Sequence, residues 1–190
     1  RRGGGAAAAP GDRSAAVDRY VARPEPARSA PPTVAPLAER HEPHLFVAAP
    51  GTLSPDDVAR VRGLAGVAAV EQVGAAEVPL AGKRVRTLGV DPSTFRAYTP
   101  QAAAESDGLW RNIAAGDAAV SFVLGRDGGV PLGETVDAGG VPVRVGAYAT
   151  MGIGAIDAVV SRETARRLGI PEGNALVVSA PGVDSAKLRR

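Results

Sequence analysis

Seven residues, Leu45-Phe46-Val47-Ala48-Ala49-Pro50-Gly51, return as Leu176-Val177-Val178-Ser179-Ala180-Pro181-Gly182. Each copy is a short apolar run that stops at Pro-Gly and is followed by a polar turn and a helix start, so the unit is strand, turn, helix. In the first copy the helix leads into another apolar strand. In the second the sequence stops inside the helix, and the expectation is a piece of something longer whose final strand is missing.

The helix of the first copy is well marked. Ser54-Pro55-Asp56-Asp57 offers an N-cap hydroxyl, a proline at the first helical position, and carboxylates facing the exposed N–H groups of the first turn. Val58, Val61, Leu64 and Ala65 then share a face, and Gly63 and Gly66 bracket the exit. A β-rich run over 67–80 follows, turned back by Ala81-Gly82-Lys83 into a partner over 84–90. Asp91-Pro92-Ser93 ends that hairpin. A turn of helix is expected over 94–98 and a longer helix over 100–112, with Leu109, Trp110 and Ile113 at its apolar end. Strands are expected at 118–123 and 156–160, a loop at 125–129, and a second hairpin from 134–137 to 141–148 across Gly139-Gly140. Ser161 caps a helix that runs to Leu168 and exits at Gly169-Ile170-Pro171.

The expected fold class is therefore α+β: a split βαβ, ferredoxin-like layer with an inserted small β-rich lobe. Two distant halves must pack together, because one amphipathic helix and two strands cannot cover their own apolar face. The expected division is a ferredoxin-like lobe from 44–80 plus 172–190 and an inserted lobe from 81–171. Residues 1–43 read differently. They hold seven prolines, a Gly3-Gly4-Gly5 run and few large apolar side chains, the makeup of a disordered linker, with one short helix allowed near 15–21.

Charge and residue usage narrow the function classes. A formal net charge of +2, with 22 basic and 20 acidic residues scattered along the chain, argues against nucleic acid as a partner. Lys83, Arg84 and Arg86 form the densest basic group, read as a solvated hairpin tip. With no cysteine there is no disulfide, thiolate metal site or cysteine nucleophile in these residues. No apolar run reaches the length of a membrane span. Twenty arginines against two lysines suggest GC-rich coding, as in actinobacteria.

Candidate chemistry is thin. His41-Glu42-Pro43-His44 looks like a zinc pair, but two ligands on one helical face need a spacing of four in a helix, and Pro43 blocks it. Asp56 and Asp57 are explained by their place in a first helical turn. Gly152-Ile153-Gly154 precedes a strand, whereas a phosphate cradle follows one and opens a helix. Trp110 and Phe122 read as core anchors. With both histidines, His41 and His44, in or beside the linker, a Ser-His-Asp triad has no credible base. Catalytic, cofactor-binding and metal residues are accordingly all expected to be none.

Taken in order, several of these segments resemble a family. Leu64-Ala65-Gly66-Val67-Ala68-Ala69-Val70, then Gly89-Val90-Asp91-Pro92, Leu109-Trp110 and Gly116-Asp117-Ala118-Ala119-Val120-Ser121 are similar to the extracytoplasmic core domain of MacB/FtsX-type ABC transporter permeases. Pro131-Leu132-Gly133-Glu134-Thr135-Val136, Val141-Pro142-Val143-Arg144-Val145-Gly146 and Asp157-Ala158-Val159-Val160-Ser161 extend the match over about 44–190. The resemblance implies a noncatalytic, extracytoplasmic domain that touches an envelope protein or a cell-wall glycopeptide. A permease places a membrane helix shortly before this domain, whereas here 43 linker residues precede it. The pattern also resembles the N-terminal region of secreted actinobacterial NlpC-type peptidoglycan hydrolases. That is the main expectation, with a cysteine peptidase domain elsewhere in the full-length protein, and a permease ectodomain is the alternative.

Overall fold

The computed structural model describes residues 16–25 and 32–188. Its first strand, β1 (Leu45–Ala48), ends at Pro50-Gly51, and α1 (Pro55–Arg62) begins where Ser54 Oγ accepts from Asp57 N at 3.1 Å. The long strand β2 (Ala69–Leu80) turns through Ala81 and Gly82 into β3 (Lys83–Val90). Both loop residues have positive φ, 49° and 76°, the twist a two-residue hairpin requires.

Next come α2 (Pro92–Phe95), a 3-10 turn (Arg96–Tyr98), α3 (Gln101–Glu105), α4 (Asp107–Ala114) and β4 (Ala118–Val120). A π-helical turn (Val123–Asp127) leads to β5 (Thr135–Ala138), β6 (Val141–Tyr148) and β7 (Ala158–Ser161). The described chain finishes with α5 (Arg162–Arg167), β8 (Ala175–Ser179) and α6 (Ser185–Leu188).

The eight strands form one mixed sheet in the order β1-β8-β2-β3-β7-β4-β6-β5. Because β8 lies between β1 and β2 and is antiparallel to both, β1 and β2 run parallel with a strand between them and α1 connecting them. That is a split βαβ, and the chain is α+β. The two repeat copies thus pair directly, from Leu45↔Val178 to Ala48↔Ala175.

Strand β2 joins the repeat layer to the insertion. Its first half pairs with β8, from Ala69↔Ser179 to Val73↔Ala175, and its second half pairs with β3, from Gly74↔Gly89 to Leu80↔Lys83. The inserted residues 81–171 continue the sheet from β3 onward. One cluster, with Phe95, Trp110, Leu88, Val159 and Val177, fills the space between the sheet and the α2–α4 helices. A smaller one, with Val58, Val70, Leu176 and Val178, lies under α1.

Two elements depart from expectation. The helix over 100–112 is broken at Ser106, whose Oγ accepts from Leu109 N at 3.4 Å and so starts α4 afresh. The strand from 118 stops at Val120, because Ser121 Oγ donates to Asp157 Oδ1 at 2.9 Å and accepts from Leu124 N at 3.1 Å, winding the following residues into the π turn.

The segment expected to be a linker is in part seated on the domain. Val21 bridges Ala147, Ala22 N donates to Gly146 O at 2.8 Å, and Tyr148 N donates to Tyr20 O at 2.9 Å. Further on, Ala35 N donates to Ser93 Oγ at 2.9 Å and His41 N to Ala97 O at 2.8 Å, while Val34 and Leu37 pack on the core. Extended, proline-rich chain lacks internal hydrogen bonds, but it satisfies its backbone here by lying along another element. The Gly3-Gly4-Gly5 run lies outside the described residues.

Candidate functional site

Polar groups carried wholly or partly into the interior are the places where chemistry or recognition would concentrate, and in this molecule several of them hold elements together. Arg96, 2% exposed, donates from Nε and Nη2 to Ala104 O at 2.9 and 2.7 Å, from Nη1 to Ala35 O at 3.1 Å, and from Nη2 to Asp107 Oδ1 at 2.8 Å. These four hydrogen bonds run to the ends of short helices and to the N-terminal segment. A guanidinium used this way is a staple.

Asn174 sits where β8 leaves β2. Its Nδ2 donates to Ala49 O and Ala75 O, both at 2.9 Å, and its Oδ1 accepts from Ala75 N at 2.7 Å. The backbone groups freed when β2 changes partner are thereby satisfied. Asp117 and Arg144 form a third group, N to O 2.6 Å, where burial pushes the Asp117 carboxyl up and Arg144 draws it back. Glu71 is the fourth. Burial raises its pKa, against the pull of the Thr94 hydroxyl, which donates to it at 2.6 Å, and of Arg162. Beside it the Tyr98 phenol is pushed up to about 12, by burial first and then by the charge of Glu71.

Besides the Thr94 hydroxyl, Glu71 feels the charge of Asp91, and Asp117 that of Glu25, each raising the carboxyl further. The residues singled out from sequence are placed apart and have local explanations. His44 Nδ1 accepts from Ala180 N at 3.1 Å, tying the start of β1 to the end of β8. His41 lies tilted against Tyr98 with centroids 5.3 Å apart. Asp57 accepts from Ser54 Oγ at 2.7 Å, and this hydrogen bond lowers its pKa. Gly152, at φ 74°, makes a turn against Pro100.

Trp110 is fully buried with Nε1 donating to Ala103 O at 2.8 Å, and it meets Phe95 edge-on at 5.9 Å. Phe122 is only partly buried, edge-on to Tyr20 at 4.9 Å. Arg84 and Arg86 flank Glu77 on the β2–β3 hairpin, at 3.1 and 3.7 Å, and Lys83 Nζ meets Gly128 O. Among the described residues no three His, Asp or Glu side chains gather as a metal site, and no helix is long and apolar enough to cross a membrane. Arg96 and Asn174 carry no local signal in the sequence, Arg96 lying among Ser93, Thr94 and Thr99 and Asn174 behind Glu172-Gly173.

No family model matches the chain, and no curated protein matches it. Among solved structures it is similar to the extracellular domain of the noncanonic ABC-type transporter YknZ from Gram-positive bacteria, at 16% identity and TM-score 0.43, covering 73% of this chain and 79% of that one. It is also similar to the periplasmic region of MacB from Actinobacillus actinomycetemcomitans, at 12% identity and TM-score 0.43, covering 73% of this chain and 70% of that one. With values this low, what the molecule can do is read from its own residues.

Proposed function

We propose that the chain is a noncatalytic, extracytoplasmic binding or spacer domain of a cell-envelope protein, of the kind found as the ectodomain of MacB/FtsX-type ABC transporter permeases. The observation that carries this reading is the split βαβ whose two halves are separated in sequence by residues 81–171, in the motif order that the family resemblance rests on. In that reading 44–80 with 172–190 is the porter-like lobe, and 81–171 is the inserted β-rich lobe. Arg96, Asn174 and the Asp117–Arg144 pair support it as well, since each joins separate elements. Its partner is an envelope protein.

A second reading is favoured by the proline-rich composition of residues 1–43: the N-terminal part of a secreted NlpC-type peptidoglycan hydrolase, with cell-wall glycopeptide as ligand. Determining the coding sequence on either side separates the two. Apolar 20-residue segments upstream and downstream fit the permease, and a downstream cysteine and histidine in a papain-like pattern fit the hydrolase. The purified domain should release no product from cell-wall peptides. Turnover that survives replacement of His41 and His44 would overturn the noncatalytic reading.

A further inference from the structure

The densest basic group of the sequence and the most exposed large apolar side chain among the described residues are brought against each other by the fold. Lys83 opens β3, and its Nζ donates to the carbonyl of Gly128, 45 residues on, which closes the π-helical turn Val123–Asp127. Val123 starts that turn and is 68% exposed. A solvated hairpin tip explains the charges but not the valine.

The turn is built to hold its shape. Gly125 N donates to Ser121 O at 2.8 Å, Gly128 N to Val123 O at 2.8 Å and Val130 N to Gly125 O at 3.0 Å. The last two bonds span five residues, the wide spacing of a π turn, a rare geometry that gathers at functional sites. Two glycines allow it: a Cβ on Gly125 would run into the Tyr148 ring, and one on Gly128 into Leu124 O. Beneath it Leu124 and Val130 are buried, and Phe122 meets both Tyr20 and Tyr148 edge-on. An apolar side chain displayed on so braced a turn loses little conformational freedom on docking, so the gain from its burial is kept.

Charge says what kind of partner fits. Arg84 and Arg86 share one carboxylate, Glu77, whereas Lys83 and Arg126 take part in no ion pair among the described residues. Of the nearby acids, Asp157 accepts from the Ser121 hydroxyl and Asp127 belongs to the turn itself. Basic groups therefore outnumber acidic ones around Val123. The chain's own residues 1–15 carry Arg1, Arg2 and Arg13 against Asp12, the same sign and so a poor match.

We propose that the π turn and the start of β3 form one docking surface for an acidic polypeptide segment that carries an apolar side chain. That side chain packs on Val123 beside Phe122, and the carboxylates of the segment face Lys83 and Arg126. The apolar contact supplies the affinity, and the charges supply the on-rate and the choice of partner. This rests on the reading of the chain as a binding domain and is the same for permease and hydrolase.

The probe is a set of short synthetic peptides of Asp, Glu and Gly with one central leucine, titrated into the isotope-labelled chain. Amide shifts should gather at 122–128 and 83–86, and binding should weaken as salt is raised. Val123→Ser and Arg126→Gln, both at exposed positions, should each weaken it by about tenfold while the rest of the spectrum stays in place. A peptide without the leucine, or with lysine in place of its acids, should not bind. If no peptide shifts these residues, or if the shifts gather elsewhere and ignore Val123→Ser, the docking surface is overturned while the binding-domain reading stands. Turnover of cell-wall peptides would sink that reading instead. Two rival occupants are read on the same protein. Sedimentation with phosphatidylglycerol vesicles that depends on Val123, without peptide binding, would make the surface a lipid site, and nuclear Overhauser contacts from residues 1–15 to Val123 would make the occupant the chain itself. Either result overturns the proposal.

Discussion

Arg144 Nη1 donates to Asp117 Oδ2 at 2.6 Å, with the two side chains only 12% and 11% exposed. Arg144 Nη2 also donates to the carbonyl of Arg23, so one guanidinium ties β6, the turn before β4 and the N-terminal segment together. Asp117 in turn lies against Gly146, where a Cβ would come within 2.6 Å of its own Cβ.

Removing one partner of a buried pair leaves the other charge without compensation. Arg144→Ala should therefore lower stability at neutral pH by about 2–4 kcal/mol, measured by urea unfolding. The pH dependence has a definite sign. Burial already raises the folded-state pKa of Asp117, so the ionised form costs stability as pH rises through that value, and the loss of Arg144 makes the cost larger. The gap between native and variant should widen from pH 4 to pH 7. A constant gap across that range would rule the account out. Amide exchange at Tyr20 and Ala22 should also quicken, since their stretch of chain loses an anchor.

Glu71 gives a prediction of the same sign without a lost ion pair. Its folded-state pKa lies above the ordinary value, so the stability that its protonated form allows is fully present below the unfolded pKa and declines as pH rises through the folded one. Glu71→Gln keeps an acceptor for the Thr94 hydroxyl and removes the titration. The stability of the native chain relative to this variant should fall with rising pH and level off once Glu71 is ionised. A difference that stays flat would show that its carboxyl is solvated.

What was legible in the sequence and what was not divide along physical lines. Ser54-Pro55-Asp56-Asp57 and Ser161 were readable because capping is a local bargain between a side chain and the nearest amides, and the turns at Gly82 and at Gly139-Gly140 were readable because positive φ selects glycine. The pairing of β1 with β8 was implied by the repeat. The register, from Leu45↔Val178 to Ala48↔Ala175, was not. The break at Ser106 was hidden, since a serine within an alanine-rich run is compatible with either a continuous helix or a new cap. The seating of Val21, Val34 and Leu37 could not be read either. Each is a single apolar residue among prolines, with no periodicity to reveal a buried face. Arg96 looks like any other of twenty arginines until the carbonyls around it are in place.

Trp110 is the sole tryptophan and is fully buried, which makes it a reporter as well as a core element. In the native state its fluorescence should resist acrylamide quenching and shift to the red only in the main unfolding transition. Trp110→Phe removes the donor to Ala103 O and leaves a void beside Phe95, for an expected loss of about 2–3 kcal/mol by circular dichroism. A loss well under 1 kcal/mol would mean that the α3–α4 junction repacks without it.

Asn174 tests whether the branching of β2 depends on one side chain. With Asn174→Ala, Ala75 N loses its acceptor and two carbonyls lose their donor at the point where β8 and β3 diverge, so about 2–3 kcal/mol should be lost. Asn174→Asp separates the roles of the two ends of the amide. An ionised carboxylate can still accept from Ala75 N, but it faces the oxygens of Ala49 and Ala75 with no proton to give, so at neutral pH it should be at least as damaging as alanine. In acid the protonated side chain regains a donor, and part of the stability should return relative to Asn174→Ala. Amide exchange provides the local readout: Ala49 and Ala75 should open well before the turn end of the β2–β3 hairpin, because that ladder runs on from Ala75↔Leu88 to Leu80↔Lys83 without leaning on Asn174. If both variants unfold with the native midpoint and native exchange at Ala49 and Ala75, the change of partner along β2 is held by the flanking ladders alone.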